Sequence, residues 1–208
     1  MKHAVIIGVG DIGEATAKDL SDYKLTLVSR DLKRLKTLSQ NLGATVIPTD
    51  IANELEAKAL FEELSEIDLL VYSAGDIQPE LLKQASSEAY RRVLDANLTG
   101  LFFTLKYGEE KLAKDSRVYV LGARPDLIRY RGFGVYAAAK AAVKALIEIA
   151  AIEMKRKTSF TLVLPKAVDT DFWENVGTAP KDALKPEDVA QAVVASLSQD
   201  AQAELLVG

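Results

Sequence analysis

Short β-branched runs alternate with longer helical stretches along the whole chain, and this alternation leaves few folds open. Ala4-Val5-Ile6-Ile7 reads as a buried strand, and a helical stretch follows from Ile12 to Leu20. Leu25 to Val28 is a second strand, after which Asp31 caps a helix with Leu32, Leu35 and Leu38 on one face. Ala44 to Ile47 is a third strand, ended by Pro48, and Asn53 with Glu56 opens a helix running to about Glu66. Ile67 to Tyr72 is a fourth strand, continuously apolar except for Asp68. The spacing then predicts one long helix over about Ser87 to Ala113 and a fifth strand from Arg117 to Leu121. A helix from about Phe133 to Lys157 and a strand from Ser159 to Leu164 form the next unit. Pro186, with Glu187 and Asp188 in the first turn, opens a final helix, and Glu204 to Val207 is a last short strand.

Apolar strands separated by amphipathic helices require a parallel sheet covered on both faces. The expected class is α/β: a Rossmann-type doubly wound parallel sheet of about seven strands with helices on both faces. A chain of 208 residues without repeat or linker predicts a single domain over 1–208. Two irregular stretches, about 122–132 and 166–185, follow strands and so belong at the carboxyl edge of the sheet, where such folds bind ligands.

Composition removes whole classes of function. Without cysteine there is no disulfide scaffold, thiolate nucleophile or thiolate metal site. A single histidine, His3, excludes a multi-histidine metal site and most histidine-based catalysis, and His3 itself reads as structural or solvent-facing. A net charge of −4 argues against a nucleic-acid partner. The apolar runs are far shorter than the ~20 residues that span a bilayer, and no signal-peptide pattern is present, so a soluble cytoplasmic protein without membrane partners is expected.

Gly8-Val9-Gly10-Asp11-Ile12-Gly13 follows the first strand and opens the first helix, the context in which G-x-G-x-x-G binds a dinucleotide. Glycines let the backbone approach a pyrophosphate, and helix amides meet its charge. Asp11 is unusual beside a phosphate and reads as a helix-start carboxylate facing solvent. At the end of strand two an acidic residue would accept from the adenosine ribose and repel a 2′-phosphate. Ser29-Arg30 stands there instead, with Asp31 one step later, which favours NADP(H) over NAD(H). Arg30 is also compatible with an exposed loop charge, and Asp31 with an N-cap. On the helix from Phe133, Tyr136 and Lys140 are spaced i,i+4 on one face. An ammonium beside the phenol would lower a tyrosine pKa that is otherwise near ~10 and suit it to acid–base work. Alone, this short and common pattern reads better as a packed tyrosine beside a solvated lysine.

Taken in order, the glycine turn, Asp50, Ala74-Gly75, Asn97-Leu98-Thr99-Gly100, Tyr136-x-x-x-Lys140 and Pro165 to Thr170 resemble the short-chain dehydrogenase/reductase family over nearly the whole chain. The resemblance implies hydride transfer between NADP(H) and a small-molecule carbonyl or alcohol. It makes Tyr136 the proton donor or acceptor, Lys140 the ribose anchor and Asn97 the support of a relay water. Cofactor contacts are implied at Gly8, Gly10, Ile12, Gly13, Ser29, Arg30, Asp50, Ile51, Ala74, Gly75, Val168 and Thr170, besides Tyr136 and Lys140. The family's association through the helices carrying Asn97 and Tyr136 implies a homodimer or homotetramer, and both helices are rich in small and apolar residues.

Departures from the pattern bear on the chemistry. Tyr72-Ser73 replaces two asparagines, and Lys166 replaces the glycine after Pro165. Ala123 occupies the position of the family's catalytic serine, whose hydroxyl polarises the substrate carbonyl. Losing one such donor costs on the order of 10²–10³ in rate. A binding protein of the same fold with little or no turnover, a redox sensor or structural subunit, is the rival reading. Arg124, Arg129 and Arg131 suit an anionic substrate or a solvated basic loop, and Phe172 and Trp173 suit a lid or a hydrophobic clamp.

Overall fold

A computed structural model describes all 208 residues. Seven strands form one sheet: β1 (His3–Ile7), β2 (Lys24–Ser29), β3 (Thr45–Pro48), β4 (Ile67–Tyr72), β5 (Leu112–Leu121), β6 (Thr158–Pro165) and β7 (Glu204–Val207). Their order is β3-β2-β1-β4-β5-β6-β7, and every neighbouring pair is parallel. The helices are α1 (Asp11–Asp19), α2 (Leu32–Leu42), α3 (Glu54–Glu63), α4 (Ser87–Leu94), α5 (Gly100–Gly108), α6 (Gly134–Glu153) and α7 (Pro186–Ser196). No helix is long and apolar enough to cross a membrane.

Strand periodicity divides the core in two, because alternate side chains point to opposite faces. Val5, Ile7, Leu70, Tyr72, Val118 and Val120 feed the layer under α3, α5 and α6. Ala4, Ile6, Leu69, Val71 and Tyr119 feed the layer under α1, α2 and α7. The expected doubly wound α/β sheet is therefore present. His3 is buried, its ring bonded to the Glu66 carbonyl and the Thr26 hydroxyl, a structural role.

Three elements differ from the sequence expectation. The long helix over 87–113 is instead α4, a wide π-type turn at Asp95–Thr99, and α5. Its last residues belong to β5, which starts at Leu112 and makes room for a register shift against β4 by turning at Asp115 (φ 63°). α5 ends at Gly108, which packs against Phe61 of α3, where a Cβ would lie 3.0 Å from the ring. α6 ends at Glu153 rather than Lys157, with Met154 turned into the core and Lys155 and Arg156 exposed.

Beyond β1 the chain turns at Gly8, with φ +89°. A Cβ on Gly8 would lie 2.3 Å from the Ala74 amide nitrogen just after β4, so the two strands can separate into a crevice only over a glycine. The Ser73 hydroxyl donates to the Gly8 carbonyl at 2.6 Å and closes the turn. Gly8→Ala should therefore lose roughly 2–4 kcal/mol of stability in urea unfolding, from strain plus overlap. Gly43→Ala, also left-handed (φ +63°) but facing open space, should lose only about 1 kcal/mol. Equal losses at the two glycines would contradict the steric account.

Candidate active site

The amino end of α1 is built to receive an anion. Gly10 occupies its N-cap without a side-chain cap, leaving first-turn amides unclaimed by any capping side chain. A Cβ at Gly10 would meet nothing within 4 Å, so the turn faces open space. At Gly13 a Cβ would lie 2.1 Å from the Gly8 carbonyl oxygen and 2.7 Å from Ser73 Oγ. Gly13 therefore lets helix and strand close up, while Gly10 keeps the approach clear.

Ser29, Arg30, Asp50 and Ile51 lie together at the ends of β2 and β3, where Ser29 pairs in register with Pro48. Asp31 accepts from the Lys33 and Arg34 amides at 3.0 Å and is the N-cap of α2. Its carboxylate is thus engaged by the helix. Arg30 is exposed and forms no ion pair. Asp50 accepts from the Ala52 amide at 3.1 Å, and Ile51 is buried in the core. These four residues and Ala74 do not line the main cleft; Gly8 supports its floor from within the turn.

That cleft, about 980 Å³, lies at the carboxyl edge of β1, β4, β5 and β6. Gly10, Ile12, Gly13, Gly75, Asn97, Tyr136, Lys140, Val168 and Thr170 all line it, joined by the loops around 122–133 and 165–182. The π-type turn turns Asn97 inward: its Nδ2 donates to the Asp76 and Val93 carbonyls at 2.7 and 2.8 Å. Asn97 Oδ1 is buried without a partner, the one such side-chain atom in the protein. A Cβ on Gly75 would lie 3.0 Å from that oxygen and 3.7 Å from Lys140 Nζ, so glycine is what leaves the two groups facing a shared space. Lys140 donates to the Leu121 carbonyl at 2.9 Å. Burial pulls its pKa down to about 8.

Tyr136 is buried among Ile77, Val93, Ala139, Ala123, Phe133 and Phe172. Its hydroxyl makes no hydrogen bond within the protein, although the residue lines the cleft. Lys140 Nζ stands 5.7 Å from the ring centroid. The expected lowering of the phenol pKa is absent: burial pushes Tyr136 above the ordinary tyrosine value, and the Lys140 ammonium donates to Leu121 rather than to the phenol. Ala123 belongs to the same apolar wall.

Asp11 is not a solvent-facing carboxylate. Arg34 donates from Nη2 to Asp11 at 2.6 Å and from Nε to Glu14 at 2.9 Å, and Asp11 Oδ2 accepts from the Asp171 amide at 2.9 Å. The glycine turn is thereby tied to the short helical turn Asp171–Asn175, whose Phe172 packs 5.5 Å from Tyr136. The partners lie 23 and 160 residues from Asp11, beyond the reach of local spacing. Trp173 is clamped by a hydrogen bond from Nε1 to the Val168 carbonyl. Arg124 pairs with Asp126 and donates to the Gly208 carbonyl, whereas Arg129 and Arg131 are exposed.

An unfolded lysine titrates near 10.5, against about 8 for Lys140. Between those values the unfolded chain binds more protons, so the ammonium's burial penalty is carried in full below about 8 and relieved as pH rises to 10.5. Relative to Lys140→Met, the parent protein should gain roughly 3 kcal/mol across that window in denaturant unfolding. A difference that ignores pH would contradict burial as the cause.

Comparison with known proteins adds to this geometry. A family model described as enoyl-(acyl carrier protein) reductase matches residues 8–204. An uncharacterized oxidoreductase of Staphylococcus epidermidis is 29% identical over 214 residues, covering 95% of this chain and 91% of its own. The crystal structure of a protein from Thermus thermophilus, described as a short-chain oxidoreductase, shares 35% identity with a TM-score of 0.89 and covers 96% of each chain. An alcohol dehydrogenase of the archaeon Thermococcus sibiricus, solved with 5-hydroxy-NADP, shares 26% identity with a TM-score of 0.84, covering 100% of this chain and 96% of its own. With the match running from the glycine turn to the last strand, the chain belongs to the short-chain dehydrogenase/reductase family of oxidoreductases.

Proposed function

We propose that the protein is an NADP(H)-dependent oxidoreductase acting between a carbonyl and its alcohol, with Tyr136 as general acid and base. One observation carries this reading. The Tyr136 hydroxyl is free of protein partners on the cleft wall, one helical turn from Lys140, while Lys140 shares the space beside Gly75 with the orphaned Asn97 Oδ1. The residues fit a dinucleotide: uncapped α1 amides over an open Gly10 suit a pyrophosphate, and the unpaired Arg30 suits a 2′-phosphate. When bound, the dinucleotide supplies or accepts the hydride at its nicotinamide.

The side chains do the rest. A phenol raised by burial is protonated at neutral pH, so Tyr136 is poised to give its proton to an oxygen gaining negative charge in reduction. Lys140 commits one donor to Leu121 and has two left for ribose hydroxyls and a relay water. Asn97 Oδ1 accepts from that water, which repairs an otherwise costly buried oxygen. Arg34 and Lys18 together offset the charges of Asp11 and Glu14, which would otherwise oppose phosphate at the turn. Val168 and Thr170 supply the far wall. Self-association through α5 and α6 belongs to the same reading, supported by the exposure of Phe102, Ile149 and Ile152 on those helices.

Calorimetric titration should show NADPH bound more tightly than NADH, with the preference abolished in Arg30→Asp. Gly10→Ala should keep its fold and lose both dinucleotides, since its Cβ enters open space. Turnover of a carbonyl panel, followed by NADPH oxidation, should fall by about 10²–10⁴-fold in Tyr136→Phe. Tight NADPH binding with no turnover would favour the sensor reading that Ala123 invites. Product reduced at a carbon–carbon bond would contradict the carbonyl assignment.

A further inference from the structure

Several of the donors around Tyr136 are committed. Asn97 Nδ2, Ser73 Oγ and Trp173 Nε1 each donate to backbone carbonyls, and Arg124 is held by Asp126 and Gly208. Lys140 gives one donor to the Leu121 carbonyl, and its Nζ stands 5.7 Å from the Tyr136 ring centroid. Where a second donor would stand, the wall offers the methyl of Ala123 beside Phe133, Phe172 and Val176. Within this apolar cluster the Tyr136 hydroxyl is the one polar side-chain group, the uncommitted hydroxyls of Tyr130 and Thr170 lining the cleft outside it.

Aromatic rings continue the wall. Tyr130–Phe133, Phe133–Tyr136, Tyr136–Phe172 and Phe172–Trp173 are successive pairs with centroids 5.8, 6.2, 5.5 and 5.9 Å apart, mostly edge to face. Such a row offers both faces and edges to a flat ring.

Resting on the proposed carbonyl chemistry, we infer that the substrates are electron-poor aromatic carbonyl compounds, and that Ala123 sets this specificity. In reduction the carbonyl carbon gains a hydride from the dihydronicotinamide, which is oxidised to nicotinamide. The carbonyl π pair moves onto oxygen, and that oxygen takes the proton of Tyr136, which solvent then replaces. With a single side-chain donor in this cluster, charge developing on oxygen is spread by the substrate's own electron-withdrawing groups. A second donor typically lowers such a barrier enough for about 10²-fold in rate. An unactivated carbonyl therefore forfeits that factor here, and an electron-poor one largely does not.

The test uses benzaldehydes substituted from para-nitro to para-methoxy, with NADPH, in the full-length protein and in Ala123→Ser. The slope of log kcat/KM against electron-withdrawing power should be steep in the parent. It should flatten in Ala123→Ser, chiefly through a gain of about 10–10²-fold for para-methoxybenzaldehyde. The isosteric pair Ala123→Thr and Ala123→Val guards against a packing effect: only threonine should flatten the slope. Trp173 is the sole tryptophan and lines the cleft, so quenching of its emission by para-nitrobenzaldehyde reports binding without turnover. Equal slopes in parent and Ala123→Ser, with turnover present, would overturn this inference and leave the carbonyl reading intact. Quenching and NADPH binding with no turnover of any aldehyde in either protein would overturn both.

Discussion

Gly8 and Ala74 bring two parallel strands so close that a single methyl group would not fit between them, and the crevice beyond depends on that contact. β1 and β4 are neighbours in the sheet, but the helices following them pack on opposite faces, so their ends diverge. Gly8 turns one chain away while Ser73 ties the other to it. Everything chemical hangs from this point: the α1 amides begin three residues after Gly8, and Gly75 opens the space shared by Asn97 and Lys140. The π-type turn that aims Asn97 also depends on a close fit, since Gly100 leaves room for the Tyr72 hydroxyl, which donates to the Ala96 carbonyl.

The polar groups of the site are held in an apolar frame that sets their protonation. Burial opposes charge on both Lys140 and Tyr136, and the result differs for the two. The lysine, at about 8, remains mostly an ammonium at neutral pH, whereas the phenol remains un-ionised. A neutral donor facing a cleft and a cation one turn away is the state needed to protonate an alkoxide. The Asp11–Arg34–Asp171 network links this wall to the glycine turn, so the two sides of the cleft are mechanically joined.

Much of this was legible in the chain because the signals were local. Apolar runs such as Ala4–Ile7 and Ile67–Tyr72 announce buried parallel strands, and Asp31 and Asn53 cap the helices they precede. Gly10, Gly13, Gly75, Asn97, Tyr136 and Lys140 do converge on one cleft. What the chain hid depends on distance. The break at Asp95–Thr99 has no proline or glycine inside it to mark it and follows from tertiary packing. Asp11 looked solvent-facing because its partners are remote in sequence, and i,i+4 spacing said nothing of the Leu121 carbonyl that diverts Lys140 from the phenol. Ala123 was visible as a missing hydroxyl, but only the structure shows that it packs with Phe133, Phe172 and Val176 in an apolar cluster around Tyr136.

The central claim is that this cleft joins a dinucleotide to a carbonyl at Tyr136. Its most direct test is isotope transfer from NADPH carrying deuterium at nicotinamide C4, with the alcohol product of para-nitrobenzaldehyde analysed by mass spectrometry. The account predicts one deuterium per molecule of alcohol formed at the former carbonyl carbon when the label is on the transferred face. Alcohol that carries no deuterium, whichever face of the nicotinamide is labelled, would contradict it.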